Sequence, residues 1–228
     1  MRTKVLICAA LLAASLASSM AQNVYSLNVV GYVNVTCLPG FNPISNPLDA
    51  TMGGTVANGN YITNILATGI PNGCTLAQFN TATIQYGSAS TYSTRTSTWG
   101  SPFNMPPGLG VMFHNIATTN VVLTFTGQVE QGSYTVGTLT GPNAFTLMGS
   151  PVPLGGDVTN LTTYLGLAAG NGDIIQTFNT SSIQWSGSSS YSTRTSKWNN
   201  ALTINPGQGF MYHSVTATKT WVSNFTVQ

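Results

Sequence analysis

The sequence predicts an all-β protein: internally duplicated β-sandwich or jelly-roll-like domains that follow an N-terminal signal peptide. Three observations predict it. A block of 36 residues occurs twice, FNTATIQYGSASTYSTRTSTWGSPFNMPPGLGVMFH at 79–114 and FNTSSIQWSGSSSYSTRTSKWNNALTINPGQGFMYH at 178–213, and the copies agree at 18 of 36 positions at a constant offset of 99. Short runs alternate bulky and polar residues, with Gly, Pro, Asn and Ser turn signals roughly every ten residues. No stretch carries a long apolar stripe of helical period.

The first 21 residues read as a processing signal. Arg2 and Lys4 precede an apolar run from Val5 to Leu16, and Ser19-Met20-Ala21 places small residues at the −3 and −1 positions of a cleavage site. The apolar run is too short to span a bilayer, and no later stretch approaches that length. Cleavage before Gln22 removes Arg2 and Lys4. What remains is Arg95, Arg194, Lys197 and Lys219 against Asp49, Glu130, Asp157 and Asp173, a net charge of zero. Without a basic patch the chain has no means of neutralising phosphates, which excludes nucleic acid as a partner. So little charge also leaves little repulsion between copies, which favours self-association. With 42% apolar residues the chain should fold.

The elements follow in order. Residues 24–36, VYSLNVVGYVNVT, alternate and form a strand, with Tyr25, Leu27, Val29, Val33 and Val35 on one face. That strand either joins its own sheet or adds to the edge of a neighbouring subunit. Pro39-Gly40 turns the chain. Pro43 and Pro47 keep 41–48 from being a central strand throughout. Tyr61 to Leu66, and Val158 to Leu167 in the second half, are the best short-helix candidates. Residues 108–114 and 207–213 read as a turn followed by a strand, and 121–126 alternates again. The block FNPISNPL at 41–48 corresponds to FTLMGSPV at 145–152 with an offset of 104, so the second copy has lost about five residues, most easily from a surface loop. The repeats are placed at 22–127 and 128–228.

These blocks resemble a β-repeat of secreted proteins of Gram-negative bacteria. Its pattern runs G-[WF]-N-L-I-S-N-P-L, then spaced Tyr and Trp, then P-G-x-G-[FY]. The residues that carry the resemblance are Gly40-Phe41-Asn42-Pro43-Ile44-Ser45-Asn46-Pro47-Leu48, then Phe79-Asn80, Tyr86, Tyr92 and Trp99, then Pro107-Gly108-Leu109-Gly110. The run Val24 to Asn34 is similar to the start of small exported proteins of verrucomicrobial type. The resemblance implies an all-β extracellular domain and brings no catalytic residues with it. The second copy departs at the opening block, which lacks the Asn-Pro-Leu.

Chemistry leaves few candidates. Four acids give no paired-carboxylate signature and do not recur at equivalent positions. No Gly-x-Ser-x-Gly elbow is present. The Gly108/Gly110 and Gly207/Gly209 pairs precede strands, so they are not phosphate loops. The expectation is a protein that is not an enzyme and has no cofactor and no metal. His114 and His213 are equivalent. Without Cys or acidic neighbours at ligand spacing they make a poor metal set and read as polar residues at strand ends. Cys37 and Cys74 are expected to pair after export, closing a loop of roughly 36 residues worth about 3–4 kcal/mol.

The repeated aromatic–Arg segments contain Tyr86, Tyr92, Arg95 and Trp99, and again Trp185, Tyr191, Arg194 and Trp198. Read as a strand, 92–99 sets Arg95 and Trp99 on one face and Tyr92 on the other. Three roles fit: core aromatics with the arginines bonded to carbonyls at a turn, a sugar-stacking ligand site, or a flat Thr/Ser contact between subunits. The expected function is an exported structural protein of the cell surface or extracellular matrix, with the periplasm as a further location, self-assembling through β-strand contacts. Its expected partners are copies of itself or surface and matrix components. The alternative is a carbohydrate-binding or adhesion module with two aromatic–Arg sites, for which the partner would be a polysaccharide.

Overall fold

The computed structural model describes residues 29–227, so the expected signal peptide and the first residues of the N-terminal strand lie outside the described residues. The first repeat runs β1 (Val30–Cys37), β2 (Gly40–Ser45), α1 (Ile62–Ile65), β3 (Thr75–Asn80), β4 (Gln85–Tyr86), β5 (Ser90–Ser93), β6 (Thr98–Trp99), β7 (Gly110–Asn115) and β8 (Val121–Gln128). The second runs β9 (Gly132–Leu139), β10 (Ala144–Gly149), β11 (Gly156–Asp157), α2 (Thr159–Thr163), β12 (Ile174–Asn179), β13 (Gln184–Ser192), β14 (Lys197–Trp198), β15 (Thr203–Ile204), β16 (Gly209–Ser214) and β17 (Lys219–Phe225). Strands hold 48% of the described residues and helices 5%, so the fold is all-β.

Each repeat builds the same pair of sheets, and the second adds a short β11-β15 pair. The larger has the order β2-β7-β3-β5-β6 in the first repeat and β10-β16-β12-β13-β14 in the second. The smaller is a two-stranded ribbon, β1-β8 and then β9-β17. All pairings are antiparallel. Pro43 is tolerated in a strand because β2 lies at the sheet edge, where a missing N–H costs no ladder bond. β8 alternates cleanly: Val121, Leu123 and Phe125 point inward and Val122, Thr124 and Thr126 outward. The predicted helices are present but shorter, at one turn each.

The opening motif is explained by hydrogen bonds. The Asn42 side chain accepts from Leu38 N at 2.9 Å and donates to Leu38 O at 2.7 Å, which closes the turn between β1 and β2. Buried Asn46 donates to Met105 O at 2.8 Å and accepts from Leu48 N at 3.1 Å. Asn60 donates to Asp49 Oδ1 at 2.7 Å and accepts from Ala50 N at 2.9 Å. Buried polar groups need such partners, so these asparagines are structural.

The Pro-Gly-x-Gly turns join the repeats. Gly108 and Gly207 have φ of +84° and +76°, a conformation open to glycine. Gly108 lies against Val136 of β9, and Gly207 against Val33 and Val35 of β1. The second glycines permit close approach. A Cβ on Gly110 would sit 2.6 Å from Met148 N, and one on Gly209 3.0 Å from the Pro43 carbonyl carbon. The hydrogen bonds are reciprocal: Ser45 N donates to Gly207 O at 2.9 Å and Gly149 N to Gly108 O at 3.0 Å. One continuous apolar cluster draws on both repeats, including Ile44, Phe113 and Phe125 from the first and Leu139, Phe210 and Trp221 from the second. Fully burying side chains of this size contributes about 2–3 kcal/mol each.

Candidate functional site

The aromatic–Arg segments do not form single strands, and this corrects the sequence-based assignment of faces. The chain reverses between Ser93 and Thr98, and again between Ser192 and Lys197, through four-residue loops that end on Ser97 and Ser196 at φ of 51° and 53°. The Asn72 side chain accepts from Thr94 N at 3.1 Å, and Asn171 from Thr193 N at 3.2 Å, fixing both turns in the same way. The reversal places Tyr92 opposite Trp99 and Tyr191 opposite Trp198 on one face, edge to face at 5.3 and 5.2 Å.

These pairs are packed inward. Tyr92, Trp99 and Trp198 are buried and Tyr191 is half-buried. Trp99 Nε1 donates to Leu66 O at 2.9 Å and the Tyr92 hydroxyl to Ala67 O at 3.0 Å, tying the sheet to the end of α1. Trp198 Nε1 has no hydrogen-bond partner among the described residues. Arg95 and Arg194 stand exposed at the turn tips. Among the described residues their guanidinium groups make none of the expected bonds to backbone carbonyls, because the tight turns direct both side chains into solvent.

Tyr86 and Trp185 behave differently. Each packs edge to face on a phenylalanine of its own repeat, Phe79 at 5.3 Å and Phe178 at 5.1 Å. They also line one cavity at the junction of the repeats. Burial pushes the Tyr86 hydroxyl up to about 12, with Trp185 opposing the shift. The equivalent positions of two expected sites therefore share one location.

The cavity they line has a volume of about 490 Å³. Phe41, Thr75, Ala77, Met112 and His114 of the first repeat's sheet form its floor, and Phe178, Ile183 and Trp185 of the second repeat's hairpin form a wall. His114 stacks on Phe41 with centroids 4.2 Å apart and planes 13° from parallel, and His213 on Phe145 at 4.3 Å and 9°. Stacking on the paired strand accounts for both histidines as half-buried residues of a sheet face. Sequence reasoning passed over Phe41, Phe178 and Ile183 as parts of this site. The available signal was unequal size at equivalent positions, Thr75 against Ile174 and Ala77 against Gln176.

Cys37 and Cys74 are both buried and free, so the expected disulfide is not formed in this structure. Burial, and then the nearby Cys74, push the Cys37 thiol up to about 12. An unreactive thiol is what an apolar site produces.

The two ribbons differ at their edges. The β1-β8 ribbon pairs through eight consecutive positions, Val30↔Gln128 to Cys37↔Val121, with no break and no charged residue. Its outer face exposes Tyr32, at 72%, with Val30 and Val122. The β9-β17 ribbon has a register break at Trp221/Val222 and carries Lys219. Lys219 donates to buried Asp173, which also accepts from the Tyr212 hydroxyl at 2.5 Å, Gly170 N at 2.6 Å and Val215 N at 2.8 Å. No protein-family model, curated protein or solved structure matches the chain.

Proposed function

We propose that this chain is an exported, non-enzymatic structural protein of the cell surface or extracellular matrix that associates with copies of itself by strand addition at β1. The observation that carries this reading is the contrast between the ribbons. Edge strands are normally protected by charge, bulges or short length. The β9-β17 ribbon has a bulge. β1 is eight residues long, unbroken and uncharged, and has no strand on its second edge among the described residues. A second copy is the partner that fits an uncharged edge on a chain with no net charge after signal removal. The burial of Tyr92, Trp99 and Trp198 supports the structural reading over two sugar-stacking sites, since a stacking platform needs an open aromatic face.

The test is to place a charge on the exposed face. Tyr32→Lys and Thr124→Lys change outward-facing side chains on the two strands of the ribbon. Both variants should fold with unchanged circular dichroism and lose concentration-dependent growth in light scattering. Assembly that persists unchanged in both would remove β1 as the contact.

A further inference from the structure

The cavity between the repeats is not an automatic product of the fold. Its floor is opened by Thr75 and Ala77, and the second repeat carries Ile174 and Gln176 at the same places in the same sheet. The hairpin above it likewise carries Gly87 and Ala89 where the second repeat has Ser186 and Ser188. Small side chains are therefore gathered on one side of a duplicated structure, and that is the side with the opening.

The lining sets the chemistry of an occupant. No charged side chain among the described residues lines the cavity, so a charged ligand would lose its hydration without a counter-charge. Aromatic rings enter from both repeats: Phe41 and Tyr86 from the first, Phe178 and Trp185 from the second. The polar side-chain groups are few, the Thr75 hydroxyl, the His114 imidazole, the Tyr86 hydroxyl and the Trp185 indole N–H. A sugar ring, with a hydroxyl on nearly every carbon, would need more. A volume of about 490 Å³ is within the range of small-molecule sites. Ile183 stands at the mouth, 60% exposed, with φ of 54°. A β-branched residue is costly in that conformation, where asparagine or glycine is tolerated. Ile84 holds the same conformation at the equivalent place of the first repeat, with φ of 53°, so this turn is common to both hairpins and only the second sets its isoleucine at the cavity.

We propose that this cavity is a binding site for an uncharged, ring-bearing apolar small molecule of about two or three rings. Its rings pack against Phe178, Trp185 and the Phe41–His114 stack, and one polar group of the ligand meets Thr75 or His114.

The test is titration of the exported chain, residues 22–228, with the neutral probe N-phenyl-1-naphthylamine, followed by its fluorescence. The expected result is saturable binding at one site per chain. The double substitution Thr75→Ile and Ala77→Gln installs the second repeat's own residues. It should weaken binding at least tenfold without moving the thermal midpoint. Ile183→Asn suits the left-handed backbone, so it should fold and also weaken binding. It decides the matter if the double variant fails to fold. Absence of saturable binding by the unmodified chain, or affinity unchanged in a folded variant, would overturn the proposal. Displacement of the probe by cellohexaose would overturn the ligand class in favour of a glycan.

Discussion

Replacing Trp99 by phenylalanine should cost about 1–3 kcal/mol more than the same change at Trp198. The two indoles are similarly packed. Both indoles are buried, at 2% and 7% exposure, and each meets a tyrosine edge to face at 5.3 or 5.2 Å. Both substitutions remove a similar volume from the core. The hydrogen bond differs. Trp99 Nε1 donates to Leu66 O at 2.9 Å, whereas Trp198 Nε1 has no partner among the described residues. Trp99→Phe therefore leaves the carbonyl of buried Leu66 without its donor, and Trp198→Phe removes an unpaired donor instead. For a chain of this length the difference corresponds to about 2–12 °C in Tm. The assay is urea denaturation followed by far-UV circular dichroism, because the substitutions change the fluorophores. Trp99→Ala sets the scale at about 3–5 kcal/mol. Equal costs for the two phenylalanine variants, within about 0.5 kcal/mol, would refute the hydrogen-bond assignment. A Trp99→Ala variant as stable as the parent would refute the core assignment itself.

Asp173→Asn should destabilise by about 3–5 kcal/mol, since it leaves the Lys219 ammonium facing a neutral amide in a buried site. Burial raises the Asp173 carboxyl, but hydrogen bonds led by Lys219 and Tyr212 outweigh it and hold it below its ordinary value. A depressed carboxyl contributes stability that is complete above about pH 4 and is lost as pH falls further. Urea midpoints measured from pH 6 to pH 2 should decline for the parent and decline less for Asp173→Asn; parallel curves would contradict the assignment. Gly149→Ala should cost about 1–3 kcal/mol, because its Cβ would overlap the Ser45 side chain of the other repeat. Adding Ser45→Gly should recover a measurable part of that loss in the same denaturation assay, and strict additivity would mean the repeats do not touch there.

Much of the fold was legible from residue patterning. The duplication, the alternation in β8 and the edge position forced by Pro43 each follow from a local rule. The Pro-Gly-x-Gly blocks read as turn and strand, and that is what they form. The hairpins inside Tyr92–Trp99 and Tyr191–Trp198 were not legible. Their left-handed positions are held by Ser97 and Ser196, not by the glycine or asparagine that marks such turns. The anchors that fix them, Asn72 and Asn171, lie 22 residues upstream. The faces of the aromatics were therefore assigned to a strand that does not exist. The site was less legible still. A constant offset relates Tyr86 to Trp185 in sequence, but it carries no information that the two line one cavity at the junction. The buried acids also escaped a repeat-based reading. Asp49 satisfies a loop of the first repeat, while Asp173 caps a different loop of the second.

The claim that matters most is self-association through β1. It is tested most directly by size exclusion with light scattering, and negative-stain imaging, of residues 22–228 at several concentrations. The account predicts oligomers or filaments that grow with concentration and are absent from the Tyr32→Lys variant. A monodisperse monomer at every concentration would contradict it.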